Sequence, residues 1–178
     1  MMSCEDQKQN MRMNTTNAVC PIGEATGKKN ISESKIPVLS CEGACIRGEI
    51  ARLAAGIVSK REPYGRGCHG ELITVPDSAI SLWIKTAEKV VLIDGCFLRC
   101  HGRIIENIID EEKLIQFDAL SRYNRYTDIF DYEDVPEKER KEVAQSVADW
   151  VLCSLDNVPA DGSDALVRTK VQCGACCG

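Results

Sequence analysis

The chain has 178 residues, of which 44% are hydrophobic and 28% charged, and its formal net charge is −5. This composition is ordinary for one soluble globular domain, and the lack of a basic patch argues against a nucleic-acid partner. No apolar run approaches the ~20 residues of a membrane span, and the N-terminus has no apolar signal-peptide core. We therefore expect a cytoplasmic protein without a membrane partner.

Cysteine is the unusual residue of this composition. The chain has eleven cysteines, an odd number, and it is larger than the small disulfide scaffolds of secreted proteins. In a reducing compartment, clustered cysteines favour metal binding or thiol chemistry over disulfides. The positions of the cysteines along the chain therefore carry the functional information.

The first 33 residues are predicted to be a disordered extension. They are mostly polar and show little periodicity, and their two isolated cysteines, Cys4 and Cys20, are interpreted as incidental thiols. A domain is predicted over residues 34–157.

The first unit of this domain is a strand, a turn and a helix. Residues 36–40 form a short apolar run that predicts a strand. The turn that follows, Cys41-Glu-Gly-Ala-Cys45, contains a C-x-x-x-C motif. Apolar residues at helical spacing then predict a helix over 46–58.

The next segment is predicted to run from a loop into a second strand. Residues 59–70 contain one proline and three glycines, which indicate a loop, and they carry the adjacent pair Cys68 and His69. The apolar run 72–75 predicts the second strand, and Pro76 is suited to open a helix. This assignment places Cys68 and His69 at the amino edge of the sheet, far from the first motif.

The third unit repeats the construction of the first. Residues 90–93 are apolar and β-branched, as in a strand buried on both faces. Asp94-Gly95 forms the turn, and a second C-x-x-x-C motif, Cys96 to Cys100, leads into a predicted helix. Asp94 is interpreted as a helix cap or as a support for a metal-binding thiol.

The remaining elements complete an alternating pattern. Residues 114–117 predict the fourth strand, and Pro136 opens a last helix in which Cys153 is interpreted as a small buried residue. Residues 158–178 are predicted to be a flexible tail. It ends in three thiols whose role stays open: Cys173, Cys176 and Cys177.

Four strands that alternate with helices predict an α/β fold: a single Rossmann-like or flavodoxin-like three-layer domain with a mostly parallel four-stranded sheet. In strand order 2-1-3-4, the loops after strands 1 and 3 flank the topological switch point, where such folds bind ligands. These loops carry the two C-x-x-x-C motifs. In order 1-2-3-4 the motifs would lie roughly 10 Å apart, and one shared ion would be harder to bind.

The candidate site residues are the four thiols of the two motifs, Cys41, Cys45, Cys96 and Cys100. Both pairs lie at predicted helix N-termini, where the helix dipole lowers a thiol pKa and favours the thiolate that a metal needs. Four thiolates in a tetrahedron form the closed structural zinc site. An iron–sulfur cluster also accepts four thiolates and is the alternative cofactor.

The residues that carry a family resemblance are Asp94-Gly95-Cys96 with Cys100, and Cys41-x-Gly-x-Cys45 with the following Arg47-Gly-x-x-Ala51-Arg52. With these motifs, roughly residues 34–120 resemble the DGC-domain family. That family is described as zinc-binding proteins with four chelating cysteines and no established biochemical role. The resemblance implies zinc and the same four cysteines as its ligands, and it supplies no reaction.

Three hypotheses follow, and a metal ion is the expected partner in two of them. The first is a zinc-binding protein in which the metal is structural or carried. The second is an enzyme of thiol or sulfur chemistry with Cys96 as its nucleophile. The third is a soft-metal carrier in which the cysteine-containing tail passes ions to the domain. A protein partner, the oligomeric state and a role for Cys68 stay open.

Overall fold

A computed structural model describes residues 13–123 and 132–157. Within these ranges the chain forms four strands and six α-helices. The strands are β1 (Ile36–Ser40), β2 (Tyr64–Arg66), β3 (Val90–Asp94) and β4 (Leu114–Asp118). The helices are α1 (Pro21–Ser32), α2 (Ile46–Val58), α3 (His69–Thr74), α4 (Ala79–Thr86), α5 (Cys100–Ile105) and α6 (Glu137–Asp156).

The four strands form one parallel sheet in the order β2-β1-β3-β4. Val38 pairs with Val91 across β1 and β3, and Val90 pairs with Leu114 across β3 and β4. The predicted α/β class and the predicted strand order are confirmed. Because every strand runs the same way, all four carboxyl ends lie at one edge of the sheet.

Alternation along the central strand divides the core between the two faces of the sheet. Val91 and Ile93 of β3 pack in the cluster that contains α2 and α6. Val90 and Leu92 pack on the other face, against α4 and the helical turns around α5. This arrangement is the predicted three-layer domain, and it explains why β3 is apolar at every position from 90 to 93.

The second strand was predicted at the wrong place. Residues 72–74 belong to α3, and the strand is Tyr64–Arg66, which pairs with residues 36–38 of β1. The apolar run misleads because only Leu72 and Val75 are buried, a spacing of three that suits a helix. The real strand has three residues and includes Gly65, which lies against the Trp83 ring, so it gives almost no pattern.

The prediction of disorder over residues 1–33 is wrong for Pro21–Ser32, which forms α1. Pro21 occupies the first turn, where its missing N–H costs nothing. The helix docks on α4 through small groups: Gly27 lies against the Ala79 backbone, and the Glu24 carboxylate accepts the Ala79 N–H at 2.9 Å. Such docking needs no apolar stripe, so periodicity could not reveal it.

The packed unit therefore extends further towards the N-terminus than residue 34. The predicted disorder of residues 1–12 and the predicted flexible tail, 158–178, lie outside the described residues. In the part of the chain that the structure describes, no helix combines the length and the apolar character that a bilayer span requires.

Candidate metal centre

Three strand-to-helix junctions meet at the carboxyl edge of the sheet. The first follows β1 and holds Cys41 and Cys45, the second follows β2 and holds Cys68, and the third follows β3 and holds Cys96 and Cys100. The crevice between β1 and β3 is the topological switch point of the sheet, because β2 lies outside β1 and β4 lies outside β3. The candidate residues thus lie where this class of fold binds ligands.

The first junction holds its leading cysteine firmly. Cys41 is buried, and its N–H donates to the Ile93 carbonyl at 2.8 Å, which extends the β1–β3 ladder. The Cys41 sulfur accepts the Gly43 N–H at 3.3 Å and also the N–H of Gly95. Cys45, half-buried, is the N-cap residue of α2, which then runs for 13 residues.

The expectation that a helix N-terminus lowers the thiol pKa is wrong for Cys41. Burial raises the pKa of the Cys41 thiol, and the hydrogen bonds from Gly43 and Gly95 oppose this only in part. The nearby Asp94 and Cys45 raise it further. A buried sulfur is poorly solvated as an anion, so burial favours the neutral thiol of Cys41 over its thiolate.

The third junction is built on a buried carboxylate. Asp94 is 1% exposed, and its Oδ1 accepts the N–H of Gly102, in the first turn of α5, at 3.3 Å. Asp94 thus accepts an N–H of the first turn of α5, as a helix cap does, although the N-cap residue of this helix is Arg99. The Asp94 Oδ2 is buried and has no hydrogen-bond partner among the described residues. Burial raises the Asp94 pKa to about 6, although the Gly102 hydrogen bond and Arg99 oppose this.

The backbones of the two C-x-x-x-C junctions touch each other. A Cβ atom at Gly95 would lie 2.9 Å from the Gly48 nitrogen and 3.1 Å from the Arg47 carbonyl carbon, closer than real Cβ contacts. Glycine at position 95 is therefore required for the turn before Cys96 to approach the start of α2. The turns that carry the two motifs are therefore neighbours, and the clustering of their four sulfur atoms stays a prediction.

The cysteines of the third junction are held more loosely than Cys41. Cys96 is half-buried and Cys100 exposed, and between them Phe97 and Leu98 are 66% and 53% exposed. Arg99 adopts the left-handed conformation with φ 50° and forms an ion pair with Glu106. The chain between the two thiols thus forms a protruding loop rather than a helical turn.

The second junction lies at the same edge, contrary to the prediction. Because β2 ends at Arg66, Cys68 and His69 follow its carboxyl end instead of preceding a strand. The His69 ring packs edge-on against His101, with 5.4 Å between ring centroids. His101 in turn accepts the Glu42 N–H at Nδ1, at 3.4 Å. A third cysteine directly before a helix was the signal that could have revealed this junction.

A half-buried arginine at the end of β2 contacts the first junction. Arg66 donates to the Val38 carbonyl at 3.0 Å, to Ser40 Oγ at 2.6 Å and to Glu42 Oε1 at 2.7 Å. Burial lowers its pKa, and Glu42 opposes that change. Burial, His101 and Arg66 together lower the His69 pKa to about 4. At neutral pH His69 is therefore an uncharged imidazole with a lone pair.

The comparison with family models gives one finding. The model of the DGC domain matches residues 37–146. The chain belongs to the DGC-domain family. The matched range contains both C-x-x-x-C motifs and all four strands except the first residue of β1. Searches of curated proteins and of solved structures gave no match.

The donors of this DGC domain suit a metal ion in chemistry but not in their present arrangement. Over residues 13–123 and 132–157, no three His, Cys, Asp or Glu side chains are arranged as a group that could hold a metal. None of the seven cysteines in these ranges forms a disulfide, and five of them lie at the three junctions. The donor chemistry fits a thiophilic ion, and the side chains would have to turn towards one another to bind it.

Proposed function

We propose that this DGC domain binds zinc through the thiols of its two C-x-x-x-C motifs, Cys41, Cys45, Cys96 and Cys100. The observation that supports this most strongly is the backbone contact between Gly95 and Gly48, which brings the two junctions together at the switch point. Thiolates are ligands that zinc prefers, and four of them satisfy its tetrahedral geometry. A reducing, cytoplasmic environment would keep these thiols free for the ion.

The charge balance at the site supports a cation. The Cys41 sulfur lies beside Asp94 and Cys45, and both disfavour its anionic form. Asp94 itself is a buried carboxylate with one unpartnered oxygen. Two groups that are costly to ionise next to each other become mutually compatible when a divalent cation lies between or beside them. Zinc would supply that positive charge and hold the three-layer domain's carboxyl edge in one arrangement.

The proposal is tested by metal analysis of the full chain, purified without oxygen, together with its absorption spectrum. We expect about one zinc per chain and no visible colour, because zinc has a filled d shell. Broad visible absorption with bound iron would favour the iron–sulfur alternative. Protein that binds neither metal after reduction and reconstitution would contradict the proposal.

A matched control shows whether metal loss is specific to the four motif thiols or follows the loss of any thiol. Cys153 is a half-buried cysteine in α6, the helix that packs on α2, and it lies outside the three junctions. Cys153→Ser should therefore keep the full metal content. The hypothesis of a catalytic Cys96 and that of a carrier tail stay predictions, and the tail thiols lie outside the described residues.

A further inference from the structure

His69 has a buried ring nitrogen that lacks a partner. Its Nε2 is shielded from solvent and forms no hydrogen bond with any residue that the structure describes. Buried polar atoms in native proteins are almost always satisfied by protein, water or a bound ion. The Nε2 of His69 is therefore available to a water molecule or an ion at the edge of the candidate metal site.

The position of this ring links all three junctions. His69 begins α3 directly after the second junction, and its ring lies 5.4 Å from that of His101, measured between centroids. His101 follows Cys100 of the third junction, and its Nδ1 accepts the N–H of Glu42, the residue after Cys41. Cys100 thus directly precedes one ring of the histidine pair, and Cys41 directly precedes Glu42, whose N–H donates to that ring.

The two histidines differ in what their nitrogens are free to do. His101 uses Nδ1 as a hydrogen-bond acceptor, which orients its ring between the first and third junctions. The Nε2 of His69 forms no hydrogen bond with the residues that the structure describes. A neutral imidazole nitrogen is a good zinc ligand, and it combines readily with thiolates in Cys3His and Cys2His2 sites.

Resting on the proposed zinc site, we infer that His69 Nε2 is a ligand of the same ion. The centre is then a mixed thiolate–imidazole site, in which His69 and three thiolates fill the four tetrahedral positions. The nitrogen then replaces one of the four motif thiolates of the proposed site, and the other three stay bound. Such a donor set suits borderline ions such as zinc and cobalt(II) better than an all-thiolate cluster of iron and sulfide.

The test is NMR of the full chain loaded with cadmium-113, which replaces zinc at thiolate sites and couples through the metal–ligand bond to nearby protons. A cadmium–proton correlation spectrum shows the β-protons of each bound cysteine and the ring protons of each bound histidine. Only two histidines exist in the chain, His69 and His101, so the assignment needs two variants. We expect ring-proton signals in the native protein, their loss in His69→Gln, and their retention in His101→Gln.

The outcomes separate this inference from the function on which it rests. If the native chain binds no cadmium, the proposed metal function itself fails. If cadmium binds but couples to cysteine protons alone, Cys68 included, or to the ring of His101, the inference is overturned while the metal function stands. The native spectrum decides this even if His69→Gln does not fold, because His101→Gln alone assigns any remaining ring signal.

Discussion

The two C-x-x-x-C junctions share a spacing and differ in how the fold holds them. At the first, Cys41 is buried, its sulfur accepts two backbone N–H groups, and a 13-residue helix begins directly after Cys45. At the third, two exposed apolar residues and a left-handed Arg99 separate Cys96 from Cys100, and the helix has only six residues. One junction is fixed by the core, and the other is a loop anchored at Asp94.

This difference suggests how one ion could bind thiols from both motifs. The Cys41 sulfur is held in place by its hydrogen bonds, so it is suited to be the fixed ligand. Cys96 is half-buried and Cys100 exposed, beside the exposed Phe97 and Leu98, so we expect this segment to reorient at a lower cost than Cys41. We expect metal binding to fix the third junction against the first.

The largest effect is expected when each junction loses one thiol. Cys41→Ser combined with Cys96→Ser should abolish stoichiometric zinc binding, because serine is a poor zinc ligand and too few thiolates remain. Metal content per chain after dialysis measures this, with Cys153→Ser as the matched control. Full retention of zinc in the double variant would show that the two junctions do not share the ion.

The second prediction concerns the close backbone packing inside the first junction, where the start of α2 lies against Gly43. In Gly48→Ala, the new Cβ would overlap the Gly43 carbonyl and lie 3.1 Å from the Gly43 Cα. We expect a loss of about 3 kcal/mol in the free energy of unfolding, because the neighbouring atoms are backbone and cannot turn away. Urea unfolding of the metal-free protein measures it.

The control for this substitution lies in the same helix. Gly56→Ala in α2 would place its Cβ in open space, with no atom within 4 Å. Alanine has a higher helix propensity than glycine, so this variant should gain about 0.5–1 kcal/mol. Equal destabilisation by the two variants would contradict the close approach at Gly48.

The third prediction uses the buried carboxylate that anchors the third junction. Burial raises the pKa of Asp94 from 3.8 to about 6, so the folded state holds its proton more tightly than the unfolded state does. The metal-free protein should therefore lose stability as pH rises between about 4 and 6. At 1.36 kcal/mol per pKa unit the upper bound is about 3 kcal/mol, and relaxation of polar neighbours should reduce it to about 1–2 kcal/mol.

Asp94→Asn isolates this effect. The amide keeps an oxygen that can accept the Gly102 N–H and removes the costly negative charge. The variant should match the native protein near pH 4 and exceed its unfolding free energy above about pH 6. Asp77→Asn, at an exposed carboxylate, is the control. A native protein whose stability rises steadily from pH 4 to 7, parallel to that of Asp94→Asn, would refute the burial argument.

Sequence patterns were sufficient where burial follows periodicity. The helix of 46–58 and the strand at 90–93 have clear apolar patterns, and the sheet has the order 2-1-3-4, one of the two that the sequence left open. They failed at β2, a three-residue strand containing Gly65, and at α1, which docks through Gly27 and a carboxylate–backbone hydrogen bond. Neither contact produces a periodic pattern of apolar residues, because each depends on a partner that is distant in the sequence.

The candidate site shows the same division. The two motifs and the capping role of Asp94 were predictable, because each lies directly after a strand that was predicted correctly. The second junction was not, because moving β2 from residues 72–75 to 64–66 carries Cys68 and His69 from the amino edge to the carboxyl edge. An error of eight residues in one short strand thus changed which end of the sheet these donors occupy.

The smallest effect is expected at the tip of the third junction. Phe97 is 66% exposed, whereas Ile46, the first residue after the other motif, is 2% exposed in the core. Phe97→Ala should therefore change the unfolding free energy by less than about 0.5 kcal/mol, and Ile46→Ala should cost about 2–5 kcal/mol. Both are measured on metal-free protein by urea unfolding. A loss above 1 kcal/mol for Phe97→Ala would mean that the loop packs on the domain even without metal, and the contrast between a fixed and a movable junction would not hold.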